Sequence, residues 1–358
     1  MVTISLCMIV KNEEDVIERC LKSIYDAVDE INIIDTGSTD NTVNIAQQYT
    51  DRVFNFNWIE DFAAARNYAF QQATKDFILW LDADDVILEK DKHLFMELKK
   101  GLSLDTDAVS MNYNLTLDKN GTAITSIKRH RLVKRERQFK WIGKVHEYLE
   151  VYGNIKHSDI AITHQPLKES EPNRNLQIYE KMIEQGEEFS PRDLFYYANE
   201  LVDHQFYEKG IEHYLRFLNT NKGWSQDCIN ACNKLADCYT HLNIPELAIH
   251  WTIQAIIYGP PIPETCCRIG YHFYCKNDFN TAIYWYKQAI ANSTNETVYF
   301  HNHICSTWLP HLQLAICYDR LGQYDVANYH NEQALEYSPD HPDILSNREH
   351  FKKVLNHQ

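Results

Sequence analysis

The sequence predicts an α/β half followed by an all-α half, and three observations carry that expectation. Strand and helix patterns alternate over residues 1–82, the pattern from Asn173 onward is almost wholly helical, and paired small residues recur within that helical stretch. A chain of 358 residues suits about two domains. The expected division is 1–168 and 169–358.

Each element has its own warrant. Thr3–Val10 is a nearly continuous apolar run, as a strand buried on both faces would be. Val16, Ile17, Cys20, Leu21, Ile24 and Tyr25 form a stripe of helical period. Ile31–Ile34 is a second strand, closed by Thr36-Gly37-Ser38, and Thr39 or Asp40 can cap the helix carrying Val43, Ile45 and Ala46. Val53–Phe56 is a third strand. Asp61 caps an Ala-rich helix over Phe62–Ala73, and Phe77–Leu81 is a fourth strand running into Asp82-Ala83-Asp84-Asp85. Such alternation implies a mostly parallel sheet with ligands beyond the carboxyl ends of its strands. Past Asp85 the pattern loosens. Ala108–Leu117 and Thr125–Arg135 read as strands around a turn at Gly121, Lys144–Tyr152 and Asp159–His164 as extended, and Gln165–Pro172 as a linker.

The helical half repeats. Ala198, Ala236, Gly270 and Ala315 are each followed 12 positions later by a small residue, Gly210, Ala248, Ala282 or Ala327. Small residues at that offset let the two helices of a hairpin approach closely. Tyr207, Pro245, Phe279 and Tyr324 share one position between them, and Pro260 and Pro339 fall where a second helix should stop. The pattern resembles the tetratricopeptide repeat, of period 34. Spacings of 38, 34 and 45 imply insertions, one around Asn292–His303.

Composition excludes several functions. Fifty acidic against 35 basic residues give a net charge of −15, against the basic face that binding nucleic-acid polymers requires. No apolar run approaches the roughly 18 residues of a membrane span, and Met1–Ser5 lacks signal-peptide features. A cytoplasmic protein without a stable membrane anchor is expected. Ten cysteines show no paired CxxC knuckles and several sit at helical spacing among apolar residues, so reduced core thiols are expected.

The chemistry concentrates in the first half. Asp82-Ala83-Asp84 follows a buried strand, where two carboxylates need a cation such as Mg²⁺ or Mn²⁺ to offset their repulsion. Asp35 ends the second strand at the same edge and either accepts from a base or ribose or caps a turn. Arg66 either faces a diphosphate or base or lies on a helix surface.

ISLCMIVKNE, IIDTGSTDNT, DFAAARN and WLDADD occur in the order and spacing of family 2 glycosyltransferases. Residues 1–165 resemble that inverting family, with its GT-A fold, a Rossmann-like α/β sheet. The resemblance implies that the backbone of Ile9, Val10 and Lys11, together with Glu13, borders the nucleotide of a UDP-sugar, and that Asp35 reads uracil. It implies Asp82 near ribose and metal, Asp84 as metal ligand, and His164 as a third ligand. Glu147, in WIGKVHE, would be the general base, with His146 as the alternative, and Arg131 would neutralise the departing diphosphate. The first strand departs from the common TYN form, ending Val10-Lys11-Asn12.

A short family 2 domain followed by tetratricopeptide-like helices, with DFAAARN and GKVHE, further resembles the peptide glycosyltransferases of glycocin bacteriocin clusters, the sublancin type. That resemblance implies transfer of a hexose, glucose first, to a Cys thiol or Ser hydroxyl of a small Cys-rich precursor peptide. It also implies a homodimer through the helical half. The alternatives are a cell-surface glycan or lipid acceptor and a non-catalytic repeat scaffold.

Overall fold

The computed structural model describes residues 1–117, 123–167, 173–292 and 303–356. The turn expected at Gly121, the boundary at 168, Pro172 and most of the insertion expected around Asn292–His303 lie outside the described residues. The chain divides into two compact units, Met1–Glu188 and the chain from Phe189 onward.

The first unit runs β1 (Ile4–Val10), α1 (Ile17–Ile24), β2 (Glu30–Asp35), α2 (Thr42–Ala46), β3 (Val53–Asn55), α3 (Phe62–Gln72) and β4 (Phe77–Trp80). It continues with β5 (Asp85–Val86), α4 (Glu89–Gly101), β6 (Ala108–Leu117), β7 (Ala123–Lys134), β8 (Trp141–Ile142), β9 (Tyr148–Leu149), β10 (Ile155–His164) and α5 (Arg174–Glu184). Eight strands form one sheet in the order β3-β2-β1-β4-β7-β6-β10-β5. The stretch β3-β2-β1-β4 is parallel, as the alternation predicts, and β7 runs antiparallel to both β4 and β6. The sheet is therefore mixed. Its core packs Ile4, Leu6, Met8, Leu79 and Met111 with Ile17, Leu21 and Phe95. Asp61 caps α3 as expected, its carboxylate accepting from Ala64 N–H at 2.8 Å.

Two expectations meet a different structure here. Lys144–Tyr152 is not extended throughout; only Tyr148–Leu149 is strand, because Gly143 and His146 take left-handed backbone angles (φ +97° and +50°) that turn the chain. The compact units divide 20 residues beyond the expected 168, at 188/189. The added helix α5 belongs with the sheet: Arg174 lies over the Phe62 ring at 4.8 Å, Lys181 pairs with Glu60, and Lys144 bonds Glu187 at 2.5 Å.

The second unit comprises α6 (Pro191–Asp203), α7 (Tyr207–Asn219), α8 (Ser225–His241), α9 (Pro245–Gln254), α10 (Pro263–Cys275), α11 (Phe279–Ala291), α12 (His303–Ser306), α13 (Trp308–Arg320), α14 (Tyr324–Tyr337) and α15 (Pro342–Leu355). Hairpins form between α6 and α7, α8 and α9, α10 and α11, and α13 and α14. Tyr207, Pro245, Phe279 and Tyr324, which share one position in the repeat, each open the second helix of a hairpin. The four turns, 204–206, 242–244, 276–278 and 321–323, are built alike. Each has a left-handed middle residue, Gln205, Asn243, Asn277 or Gly322. In each, the next N–H returns to a carbonyl five residues back: Phe206 to Leu201, Ile244 to Tyr239, Asp278 to Phe273 and Gln323 to Tyr318. This helix-ending motif satisfies carbonyls the helix leaves open. The small residues do bring helices close, since a Cβ on Gly210 would lie 2.5 Å from the Val202 side chain and one on Gly270 2.8 Å from the Tyr286 ring. All ten cysteines are free, and only Cys275 is exposed. Burial pushes the thiols of Cys232 and Cys317 up to about 12, far from the reactive range.

Candidate active site

The carboxyl ends of β1, β2 and β4 meet at one edge of the sheet, where Val10 is in register with Asp35. The loops there are laced together. Asn12 N–H donates to Ser38 Oγ at 2.9 Å, Asn12 Oδ1 accepts from Thr39 N–H at 2.8 Å, and Glu13 N–H donates to Thr42 Oγ1 at 2.7 Å. Ile9 is half-buried, Lys11 is exposed, and the Val10 carbonyl accepts from both Thr36 N–H and its hydroxyl. Asp35 is buried and its carboxylate takes the Gly37 and Ser38 N–H groups at 3.3 and 3.0 Å. Of its two sequence readings, the turn cap is the one its contacts display. Asp40 likewise accepts from Thr42 and Glu14 N–H groups.

A second group gathers where α3 faces the loop after β8. Asn67 brackets Trp141, its Nδ2 donating to Trp141 O and its Oδ1 accepting from Trp141 N–H, both at 2.9 Å. The adjacent Arg66 reaches two carboxylates: Nε donates to Glu147 Oε1 at 2.5 Å and an Nη to Asp82 Oδ1 at 2.7 Å. Its guanidinium lies 5.2 Å from the Trp80 ring and 4.8 Å from the Trp141 ring. Burial disfavours its charge, but Asp82 and Glu147 outweigh that and raise its pKa. Burial would likewise raise Asp82, yet Arg66 and then Arg131 hold its carboxyl below the usual range. Arg66 is thus not a surface residue. It is a clamp between two acids distant in sequence. His146 precedes Glu147 in the left-handed region, on the turn that delivers it.

The third group lies under the Asp82–Asp85 turn. Asp85 N–H donates to Asp82 O at 3.1 Å, and Asp82 N–H donates to Asp85 Oδ2 at 3.0 Å. Because β5 pairs antiparallel with β10, Asp85 stands in register with His164. His164 Nδ1 is 3.4 Å from Asp84 Oδ1 and 3.8 Å from Asp85 Oδ1. The nearby carboxylates of Asp84 and then Asp85, against the opposing effect of burial, raise its pKa to about 10. Positive charge is favoured at that point. Among the described residues, Asp84, Asp85 and His164 are the one group of three whose ligand atoms lie within 4.8 Å of one another.

Two expectations are corrected here. Asp82 does not share a cluster with Asp84, because Arg66 draws its carboxylate away; Asp85 takes its place. Arg131 does not face a leaving group. It is fully buried and bonds Asp85 Oδ2 at 2.9 Å, so its charge answers a carboxylate beneath the edge. Asp85 and the partnership of Arg66 with Glu147 escape sequence reasoning. The only trace of the first is the unbroken run to Asp85 in WLDADD.

An open α/β sheet with acids at the carboxyl ends of parallel strands has its ligand crevice at that edge. Residues 5–151 match the model of glycosyl transferase family 2. The chain is similar to the SPbeta prophage-derived glycosyltransferase SunS of Bacillus subtilis, 29% identical over 236 residues, covering 62% of this chain and 54% of that protein. It is 47% identical over 88 residues to a TPR repeat-containing protein of Synechococcus elongatus, covering 25% and 22%. It is 37% identical over 82 residues to an uncharacterized glycosyltransferase of Rickettsia felis, covering 23% and 29%. The chain thus spans about half or less of the curated relatives it matches. Among solved structures, YrrB, described as a TPR protein with an unusual peptide-binding site, is 14% identical at a TM-score of 0.38, covering 50% of this chain and 84% of that one. At that score the likeness adds nothing to the hairpins seen directly. Among the described residues no helix is long and apolar enough to cross a membrane.

Proposed function

We propose that this chain is an inverting glycosyltransferase that moves a hexose from a UDP-sugar to a Cys thiol or Ser hydroxyl of a peptide. The observation that carries it is the meeting, at one sheet edge, of Asp84, Asp85 and His164 with the Arg66 clamp on Asp82 and Glu147. The family 2 match and the similarity to SunS support the transfer, and the helix hairpins offer a surface for a peptide.

The residues fit a divalent cation. Two carboxylates and an imidazole are suitable donors for Mg²⁺ or Mn²⁺, and Asp85 Oδ1 is buried without a hydrogen-bond partner. Asp84, Asp85 and His164 would hold the ion, which when bound would stabilise the charge on a diphosphate leaving group. The protein's own groups do the rest. Asp82, just past the end of β4, would meet the nucleotide's ribose. Arg66 fixes the Glu147 carboxylate, which takes the acceptor's proton as the bond from sugar C1 to acceptor sulfur or oxygen forms and the bond to diphosphate breaks. His146 is the alternative base.

The test is UDP release from UDP-glucose with Mn²⁺, and mass spectrometry of a Cys- and Ser-containing acceptor peptide. Gain of one hexose on the peptide, lost in Glu147→Gln, is expected. Wild-type turnover in Asp84→Ala would overturn the cation reading; peptide left unmodified while a glycan acceptor is extended would overturn the acceptor.

A further inference from the structure

Behind the proposed cation site sits an arginine that the ligand set does not explain. We propose that Arg131 is a positioning residue for the cation ligands, and that Trp80 and Tyr113 complete a buried box orienting Asp85 and His164. The inference rests on the cation reading above.

The box begins with a break in strand pairing. Val109 pairs with Leu132 but Ser110 pairs with His130, so Arg131 is the extra residue of a bulge in β7. A bulge redirects a side chain that regular alternation would place elsewhere. Trp80 holds the bulge from both sides: its Nε1–H donates to His130 O at 2.7 Å, and Arg131 donates to Trp80 O at 3.3 Å. The guanidinium sits 3.8 Å from the Trp80 ring centre and 4.3 Å from that of Tyr113.

Arg131 and Asp85 are both 0% exposed. Burying an ion pair costs enough desolvation that a well-packed apolar pair is often as stable, so stability alone is a weak reason for this one. The geometry supplies another. Asp85 Oδ2 is committed twice, to Arg131 at 2.9 Å and to Asp82 N–H at 3.0 Å, which leaves Oδ1 as the unpaired oxygen on the His164 side. Tyr113, the far wall of the box, packs its ring edge-on against the His164 imidazole, with ring centres 5.9 Å apart. One box therefore touches two of the three ligands.

A simple counterion for Asp85 would behave differently. Removing a positive charge beside a cation site should tighten cation binding, whereas losing a positioning residue should weaken it. Mn²⁺ binding to the full chain, read by the paramagnetic resonance of free Mn²⁺, needs no sugar nucleotide. Arg131→Met should weaken binding by about tenfold or more, the usual scale for groups that orient metal ligands. Arg131→Lys should weaken it similarly, since an ammonium keeps the charge but not the planar contact with the Trp80 and Tyr113 rings. Tighter binding in Arg131→Met with wild-type binding in Arg131→Lys would overturn the proposal, as would no change in either. If the methionine variant fails to fold, the lysine variant decides by itself: weaker binding supports positioning, and wild-type binding refutes it. Failure of the wild type to bind Mn²⁺ would instead bring down the cation reading beneath it.

Discussion

The two units handle buried polar atoms in opposite ways. The sheet unit buries full charges, Arg131 with Asp85 beneath its functional edge and the Lys99 ammonium at the opposite edge, where it meets the exposed Asp29. The hairpin unit buries mostly neutral groups, Glu200 being the charged exception among the described residues: the thiols of Cys232, Cys238, Cys266 and Cys317, and small residues at helix crossings such as Ala198, Ala282 and Ala315. Charge burial is costly and persists where fixed charges have work to do. Close helix approach needs small, neutral atoms. The difference marks the sheet edge as the place of chemistry and the hairpins as a packing solution.

That contrast can be broken most directly in the hairpin core. Phe351, 1% exposed on α15, packs with Leu314, Ala315 and Ala327. Phe351→Ala should cost about 3–5 kcal/mol in chemical denaturation of this unit; a loss below ~1 kcal/mol would show that packing is not what holds it. At the sheet edge the effect should fall on rate instead. Asp84→Ala should lower UDP release by about a hundredfold, roughly 2.7 kcal/mol of barrier.

Acid should sharpen the comparison by affecting different groups in the two units over different ranges. Burial, with His311 and Lys287 nearby, depresses His330 from 6.5 to about 4. Its neutral form belongs to the folded state, so its contribution is full above pH 6.5 and is lost as pH falls through 6.5 toward 4, on the order of 2 kcal/mol. In the sheet unit, burial opposes the charge of Glu30, but hydrogen bonds from Thr74, Asn32 and Ser5 prevail and hold it at about 2 instead of 4.5. Its contribution is lost only from about pH 4.5 down to 2. Denaturation at pH 7 and pH 5 should show the loss at pH 5 disappear in His330→Phe. The smallest effect is at a helix end: Asp61→Ala should cost about 1 kcal/mol by removing the bond to Ala64 N–H.

Much of this was legible because period and burial agree. β1 and β4 are apolar runs buried on both faces, β2 carries the apolar Ile31, Ile33 and Ile34, and β6 matches its expected bounds. Helix α4 was not legible, because two of its three buried positions, Asp91 and Lys99, are charged. They are buried against partners elsewhere in sequence, Ala161 N–H for Asp91 and Asp29 for Lys99, so the apolar stripe was broken exclusively by tertiary pairing. Arg131 was expected to meet a departing diphosphate, and its burial was not legible because a bulge in β7 turns it inward.

The sequence by itself determined the two halves, the strand-end acids and the hairpin repeat, because those depend on local periodicity and on residues near one another. Only the tertiary structure decided which acid does what. Asp82, Asp84 and Asp85 are nearly equivalent in sequence, and they part because Arg66 comes from α3, His164 from β10 and Arg131 from a bulge in β7. The role of a carboxylate is set by the charge that reaches it.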